Sequence, residues 1–193
     1  MSKIAFSDCV EIVGDVVKSF DGNRKYISTG AIDIDHIDDS QTERITFLDR
    51  PSRANLIACK DDILFAKMQG TAKTFIVDEK SAEYVYSTGF CAVRANIKVI
   101  TVRCLYHLLS SEYFLSQKDK YCSGATQKAI TNGGLQKITF SIPSIEIQAH
   151  LSDTLDGIIN VINICNTILE KLNLLVKSRS VGRLLLTSEE VAA

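Results

Sequence analysis

Residues 144–179 read SIEIQAHLSDTLDGIINVINICNTILEKLNLLVKSR, and this stretch decides the architecture. Leu151, Leu155, Ile158, Ile162, Cys165, Leu169, Leu172 and Val176 recur at alternating spacings of four and three. That repeat is the signature of a helix whose apolar seam faces another helix. No proline interrupts it, and Gly157 is its only glycine. A helix over these residues spans about 50 Å, at roughly 1.5 Å per residue. A second stripe, Ile159, Ile164, Ile168 and Leu175, makes the apolar face wider than a two-stranded zipper needs. Such a helix must bury its face on a partner helix, on its own domain, or on both. About ten turns exceed what one domain of this size covers, which favours a partner helix.

Working outward, Pro143 closes the segment before the helix, and it is one of only two prolines, with Pro51. Upstream, short runs rich in aromatic and β-branched residues recur at 25–29, 62–68, 74–77, 90–94 and 138–142, each bounded by turn residues. Asp78-Glu79-Lys80-Ser81 reads as the turn of a hairpin joining 74–77 to a strand near 84–87. Between 101 and 118 the pattern becomes helical, with Leu105, Leu108, Leu109, Phe114 and Leu115 on one face. Downstream, residues 181–187 fall out of the heptad register. The expected fold is therefore α+β: a mixed α/β globular domain over 1–143, a long C-terminal coiled-coil-type helix over 144–179, and a tail of open structure over 180–193.

Composition narrows the class. With 46% hydrophobic and 23% charged residues, the chain can bury a core. The first residues lack the apolar core of a signal peptide, and no run of about 18 uninterrupted apolar residues marks a membrane span. The six cysteines (9, 59, 91, 104, 122 and 165) never lie at C-x-x-C spacing and have three histidines for company. They read as reduced thiols buried as small apolar residues in a cytoplasmic protein, and a zinc site has little support. Net charge is −1, but it is unevenly spread. Residues 1–50 carry 6 Lys/Arg against 10 Asp/Glu, residues 51–143 carry 12 against 7, and residues 144–193 carry 4 against 6. The basic excess sits in the middle of the chain, as either a one-sided electrostatic footprint or a solvated face would have it.

Signatures of catalysis are missing. There is no G-x-x-x-x-G-K-[ST], no G-x-G-x-x-G, and no adjacent proline pair of the kind that grips a flipped base in adenine methyltransferases. Asp61 or Asp62 followed by Asp78-x-Lys80 loosely imitates an Mg²⁺ nuclease core. The second half of that pattern falls at the expected turn, where charge needs no catalytic explanation. His36, among Asp33, Asp35, Asp38 and Asp39, reads as a solvated acidic loop. No cofactor and no metal are implied.

Two segments carry binding chemistry. Residues 64–73, LFAKMQGTAK, link two strands. Here Gln69 can read adenine bidentately, Lys67 and Lys73 can hold phosphate or guanine, and Thr71 lies between them. Residues 118–135, KDKYCSGATQKAITNGGL, form a polar loop before the last strand. Gly124 lets backbone approach a duplex, and Ser123, Thr126, Gln127 and Lys128 supply donors. Arg94 is a further candidate for a phosphate contact. Either loop alone also reads as an ordinary solvated connection.

Taken together, these segments are similar to a known family. Asp62-Ile63-Leu64-Phe65-Ala66-Lys67, followed by Tyr86-Ser87-Thr88-Gly89-Phe90, resembles the target recognition domain of type I restriction-modification specificity subunits. Gly124-Ala125-Thr126-Gln127-Lys128-Ala129-Ile130, Leu135-x-x-Ile138 and Ile142-Pro143-Ser144-x-Glu146-x-Gln148 resemble that family's junction from recognition domain to spacer helix. The resemblance covers about residues 1–179.

It implies a non-catalytic subunit that reads one half of a split target in double-stranded DNA. The helix would set the spacing and dock the methyltransferase (modification) subunits, and through them the restriction subunit. Catalysis and cofactors would belong to those partners. A full specificity subunit holds two recognition domains and two helices, whereas this sequence holds one of each. A homodimer through the helix would restore both. Two rival readings remain: a coiled-coil scaffold or adaptor with a protein-binding head, and a small Mg²⁺-dependent nuclease.

Overall fold

The run Ile63-Leu64-Phe65-Ala66 is apolar at every position, which a strand tolerates only if both of its faces are covered. The computed structural model, which describes residues 2–33 and 36–190 and side chains from Lys3 to Ser178 within them, has that arrangement. In chain order the first elements are β1 (Ser2–Ala5), α1 (Phe6–Cys9), β2 (Val10–Val13), β3 (Arg24–Ile27), β4 (Ile32–Asp33), β5 (His36–Ile37), β6 (Glu43–Ile45) and β7 (Ala54–Leu56). Then come β8 (Ile63–Ala66), β9 (Thr74–Ile76), β10 (Val85–Ser87), β11 (Phe90–Ala95), α2 (Val102–Leu109) and α3 (Glu112–Lys120). The last are β12 (Cys122–Ser123), β13 (Ala129–Ile130), α4 (Asn132–Leu135), β14 (Thr139–Ile142) and α5 (Ile145–Glu190). The chain divides into two compact units, Met1–Leu151 and Ser152–Ala193.

Two four-stranded sheets form the first unit. One, ordered β2-β11-β8-β9, is antiparallel throughout; the other, β6-β3-β10-β7, is mixed, with β3 and β10 parallel. Alternation sorts the side chains into layers. Ile63, Phe65, Cys91 and Val93 pack with Phe6, Leu105, Leu109, Phe114 and Phe140 in a core shared with the helices. From the opposite face, Leu64, Ala66, Phe90 and Ala92 pack against Ile27, Ile32 and Tyr86, joining the two sheets. The outer face of the second sheet buries Tyr26, Ile45 and Val85 against Phe20 and Phe47. β1 and β14 pair antiparallel, so the chain's start is laid beside the strand that precedes the long helix.

Three sequence expectations change here. Strands β9 and β10 do not form a hairpin: β9 pairs with β8, and β10 pairs with β3 and β7 in the other sheet. The intervening turn is real, but it redirects the chain between layers. Asp78 Oδ1 accepts from Ser81 N at 2.7 Å, the Ser81 hydroxyl bonds the same oxygen, and the Tyr86 hydroxyl donates to Ser81 O at 2.8 Å. Those bonds hold the Asp78 carboxyl below the usual carboxylate range. The helical stretch 101–118 is two helices, because Ser111 stops the first and caps the second by accepting from Phe114 N at 3.2 Å. The thiols are free, but Cys59 and Cys165 are exposed, not buried. Burial pushes the Cys9 thiol up to about 11 and the Cys91 thiol up to about 12.

The entry into α5 is fixed by one side chain. Gln148 is fully buried; its Oε1 accepts from Thr101 N at 2.8 Å, and its Nε2 donates to Val99 O at 2.9 Å and Pro143 O at 3.1 Å. The first turn of the helix thus belongs to the globular unit. Beyond it the seam is open to solvent: Leu151, Ile158, Ile162, Leu169, Leu172 and Val176 are 40–63% exposed, and Cys165 is exposed as well. The tail from 180, which the sequence leaves open, lies outside the described side chains.

Candidate nucleic-acid interface

The two candidate loops are one assembly. Loop 67–73 closes the hairpin of β8 and β9, with Ala66 N donating to Lys73 O at 3.0 Å. Loop 124–128 is the tip of the hairpin of β12 and β13, whose register pairs Ser123 with Ala129. The first loop then lies along the second hairpin like an added strand. Ile130 N donates to Lys67 O at 2.9 Å, Met68 and Ala129 form a β-bridge, and Gln69 N donates to Lys128 O at 2.9 Å. Lys67 N also donates to Gly89 O at 2.9 Å, which ties the assembly to the turn between β10 and β11.

Two glycines make the shape. Gly70 has φ +73 and turns the first loop. Gly124 has φ +135, and a Cβ there would lie 2.4 Å from Gln127 O, so only glycine fits where the tip folds back on itself. An open cleft of about 490 Å³ lies between residues 68–70 and 125–128. Gln69 and residues 125–128 are exposed along it, and Ser123 and Gly124 are exposed just before them in the chain. The cleft thus presents amide, hydroxyl and ammonium groups on two loops joined by the bond from Gln69 N to Lys128 O, the chemistry of base-edge and phosphate contact.

Not every candidate residue gathers there. Gln69, Ser123, Gly124, Thr126, Gln127 and Lys128 share the edge, and Lys67 lies half-buried at its root. Thr71 and Lys73 line a small cavity against the corner between α2 and α3, and Lys73 Nζ donates to Thr29 O at 3.0 Å. Arg94 lies toward the other end of β11, where it grips buried Asp62 with Nε at 2.8 Å and Nη2 at 3.1 Å. The cleft beside it, of about 450 Å³, is lined by Glu11, Asp15 and Asp62 and is acidic in character. Asp62 held by Arg94, and Asp78 held by Ser81, are both engaged in structural bonds that account for their presence.

Other residues of the site escaped the sequence reading. Lys118 is 1% exposed; its Nζ donates to Met68 O and lies 3.0 Å from Asp119 Oδ1. Asp119 Oδ2 accepts from Gly70 N at 2.9 Å. The available signal was Lys118 lying four residues after Phe114, a lysine on the buried face of a helix. Beside the hairpin, Lys120 and Lys137 flank the Tyr121 ring at 5.6 and 5.9 Å, adding cations to the same side of the fold.

The chain thus combines a two-sheet α/β unit bearing a polar loop pair with a long helix that carries an apolar seam. The chain belongs to the type I restriction modification DNA specificity domain family, whose model matches residues 13–174. Its fold is similar to that of the HsdS subunit from Thermoanaerobacter tengcongensis, with TM-score 0.69 and 19% identity over 84% of this chain and 43% of that one. It is also similar to a chain from a structure describing complex assembly and conformational transition of the type I R-M system, with TM-score 0.72 and 19% identity over 86% of this chain and 44% of that one. This chain therefore spans less than half the length of either protein. No match to a curated protein was found.

Proposed function

We propose that the chain is the sequence-specific, non-catalytic DNA-recognition subunit of a type I restriction-modification complex, and that it reads one half of a split double-stranded target. The observation that carries the reading is the loop pair. Segments far apart in sequence meet through backbone bonds, so that Gln69, Ser123, Thr126, Gln127 and Lys128 occupy one exposed edge. Gln69 and Gln127 have the amide geometry for adenine, and Lys67 and Lys128 the charge for guanine or phosphate. Thr71, Lys73 and Gly124 shape the loops around them, and Arg94 is the outlying candidate for a phosphate. Affinity should come mostly from phosphate contacts and fall steeply with salt.

The division of the chain follows the same logic: residues 1–143 recognise, and the helix over 144–179 spaces and assembles. The exposed seam supports pairing with a second copy of the helix, which would bring two recognition domains to a palindromic split site. The methyltransferase subunits would dock on the paired helices and bring the restriction subunit with them. Segment Ile145–Ser178 is also long and apolar enough to cross a membrane, with mean hydropathy 1.2 over eighteen residues. Its strict heptad seam and the family favour helix pairing in the cytoplasm.

Light scattering across a concentration series tests the assembly. A mass near twice 21.3 kDa supports the homodimer, and a persistent monomer removes it. Selection of duplexes from a random pool, followed by salt titration of the winners, tests recognition. Enriched palindromic half-sites with a steep salt slope are expected. Dimers without salt-sensitive DNA affinity would favour the scaffold reading instead.

A further inference from the structure

Burying an ammonium group is costly unless every bond it makes serves the fold, because the charged form loses its water. Lys118 bears that cost beneath the loops, paired with the carboxylate of Asp119. Its Nζ crosses from α3 to the carbonyl of Met68, fifty residues away in sequence. Its neighbour Asp119 meets the ammonium with Oδ1 at 3.0 Å and accepts the amide of Gly70 with Oδ2 at 2.9 Å. One helix terminus thus takes hold of the amide of Gly70 and of the Met68 carbonyl, which within the turn has only the long bond from Thr71 N at 3.4 Å. The same turn donates its next amide, Gln69 N, to Lys128 O on the opposite hairpin.

We infer that Lys118 and Asp119 are the positioning residues of the recognition edge: they lock the turn at 68–70 to the hairpin tip, so that the two loops read DNA as a single rigid unit. This deepens the proposed function and rests on it for its DNA readout. Neither residue touches DNA in this scheme; both act through Gln69 and Lys128. Two chemical features argue for it. Met68 O is a backbone acceptor in a half-buried turn, where a methionine or leucine at position 118 would leave it only the long bond from Thr71 N, at 3.4 Å. Gly70 is exposed at the turn, and a carboxylate is the strongest available acceptor for its amide. Reading by a preorganised pair also loses less freedom on binding than reading by two independent loops.

The experiment uses the full chain with three variants: Asp119→Ala, Asp119→Asn and Lys118→Met. Amide hydrogen exchange at Gln69 and Gly70 is measured without DNA. Affinity is measured for a duplex that the wild-type chain selects from a random pool. In Asp119→Ala both amides should exchange at least about tenfold faster, and affinity for the selected duplex should fall about tenfold. The salt slope should not change, because no phosphate contact is lost. Asp119→Asn keeps an acceptor for Gly70 N and should restore most of both. Lys118→Met should behave as Asp119→Ala, and if that chain does not fold, Asp119→Ala decides alone, since its side chain is partly exposed. If Gly70 accelerates while Gln69 stays protected, the loops are not coupled and the inference is overturned. Unchanged affinity in Asp119→Ala overturns it as well. If wild type selects no duplex, the proposed function fails, while the exchange arm still decides the coupling.

Discussion

Helix α5 and the loop pair are built by opposite means. The helix satisfies its backbone within itself and leaves an apolar seam facing outward, so what it lacks is a partner. The loops are polar at the surface, and the turn of the first is held at Gly70 N and Met68 O by residues about fifty positions distant. The helix is thus specified locally and, in the proposed function, completed by assembly. The loops are specified by the whole fold and, in the same proposal, completed by DNA. Damage to one region should leave the other standing.

The sharpest way to break this separation is to charge the seam. Ile162 and Leu169 lie one heptad apart and are each more than half exposed in the single chain. Replacing both with aspartate would bury two carboxylates in an apolar interface, at several kcal/mol each. The dimer dissociation constant should rise at least about a thousandfold, equivalent to about 4 kcal/mol. Thermal unfolding of the globular unit should not move. A dimer of unchanged strength by light scattering would mean that another surface holds the copies together.

Next in size is Phe114→Ala. Phe114 is 2% exposed and meets Phe65 edge-on at 5.1 Å, Phe6 at 6.4 Å and Phe140 at 6.3 Å. Losing that ring should cost about 3–5 kcal/mol in urea unfolding. It lies one turn before Lys118, so the loop pair should loosen with it. The helix-mediated dimer should survive in mild conditions. Loss of dimer mass without unfolding would show that the two regions are energetically one.

What the sequence reveals follows the same divide. A heptad is a local pattern, so Leu151 to Val176 announces its helix without reference to anything else. The strands at 63–66 and 90–95 are also legible, because their apolar runs exceed what a half-covered strand would carry. Strands of two to four residues in the acidic first third, such as Glu43–Ile45 and Ala54–Leu56, are too short to show a period. The turn at Asp78 is visible, but which strand follows in which sheet is not, because register across layers is set by Tyr86 and Val85 packing on opposite faces. At the candidate site the two loops stand out by composition. Their contact, and the buried lysine beneath it, are tertiary facts.

A smaller effect is expected at the hairpin tip. Gly124→Ala places a Cβ 2.4 Å from Gln127 O at φ +135. The strain is about 1–3 kcal/mol, and the tip can relax by opening instead of unfolding the domain. Amide exchange should therefore rise at residues 125–128 and leave α2 and α3 protected. Exchange that spreads to the helices would mean that the tip is part of the core and not a surface device.

The last test separates the cations from one another. If Lys128 neutralises a phosphate, Lys128→Ala should weaken binding to every duplex by a similar factor and lower the salt slope by about one. Lys67→Ala should do the same to the extent that its half-buried stem lets the ammonium reach the duplex. Gln127→Ala should instead change which duplexes win, with about 1–3 kcal/mol lost at a single base position and no change in slope. Arg94 is the discriminating position, because its guanidinium is already bound to Asp62. Arg94→Ala leaves that buried carboxylate without its ion-pair partner and should lower stability more than DNA affinity. A drop in salt slope at Arg94 would extend the interface along β11 to its far end. Its absence would confine recognition to the loop pair, where the backbone bonds, the exposed donors and the buried lysine meet.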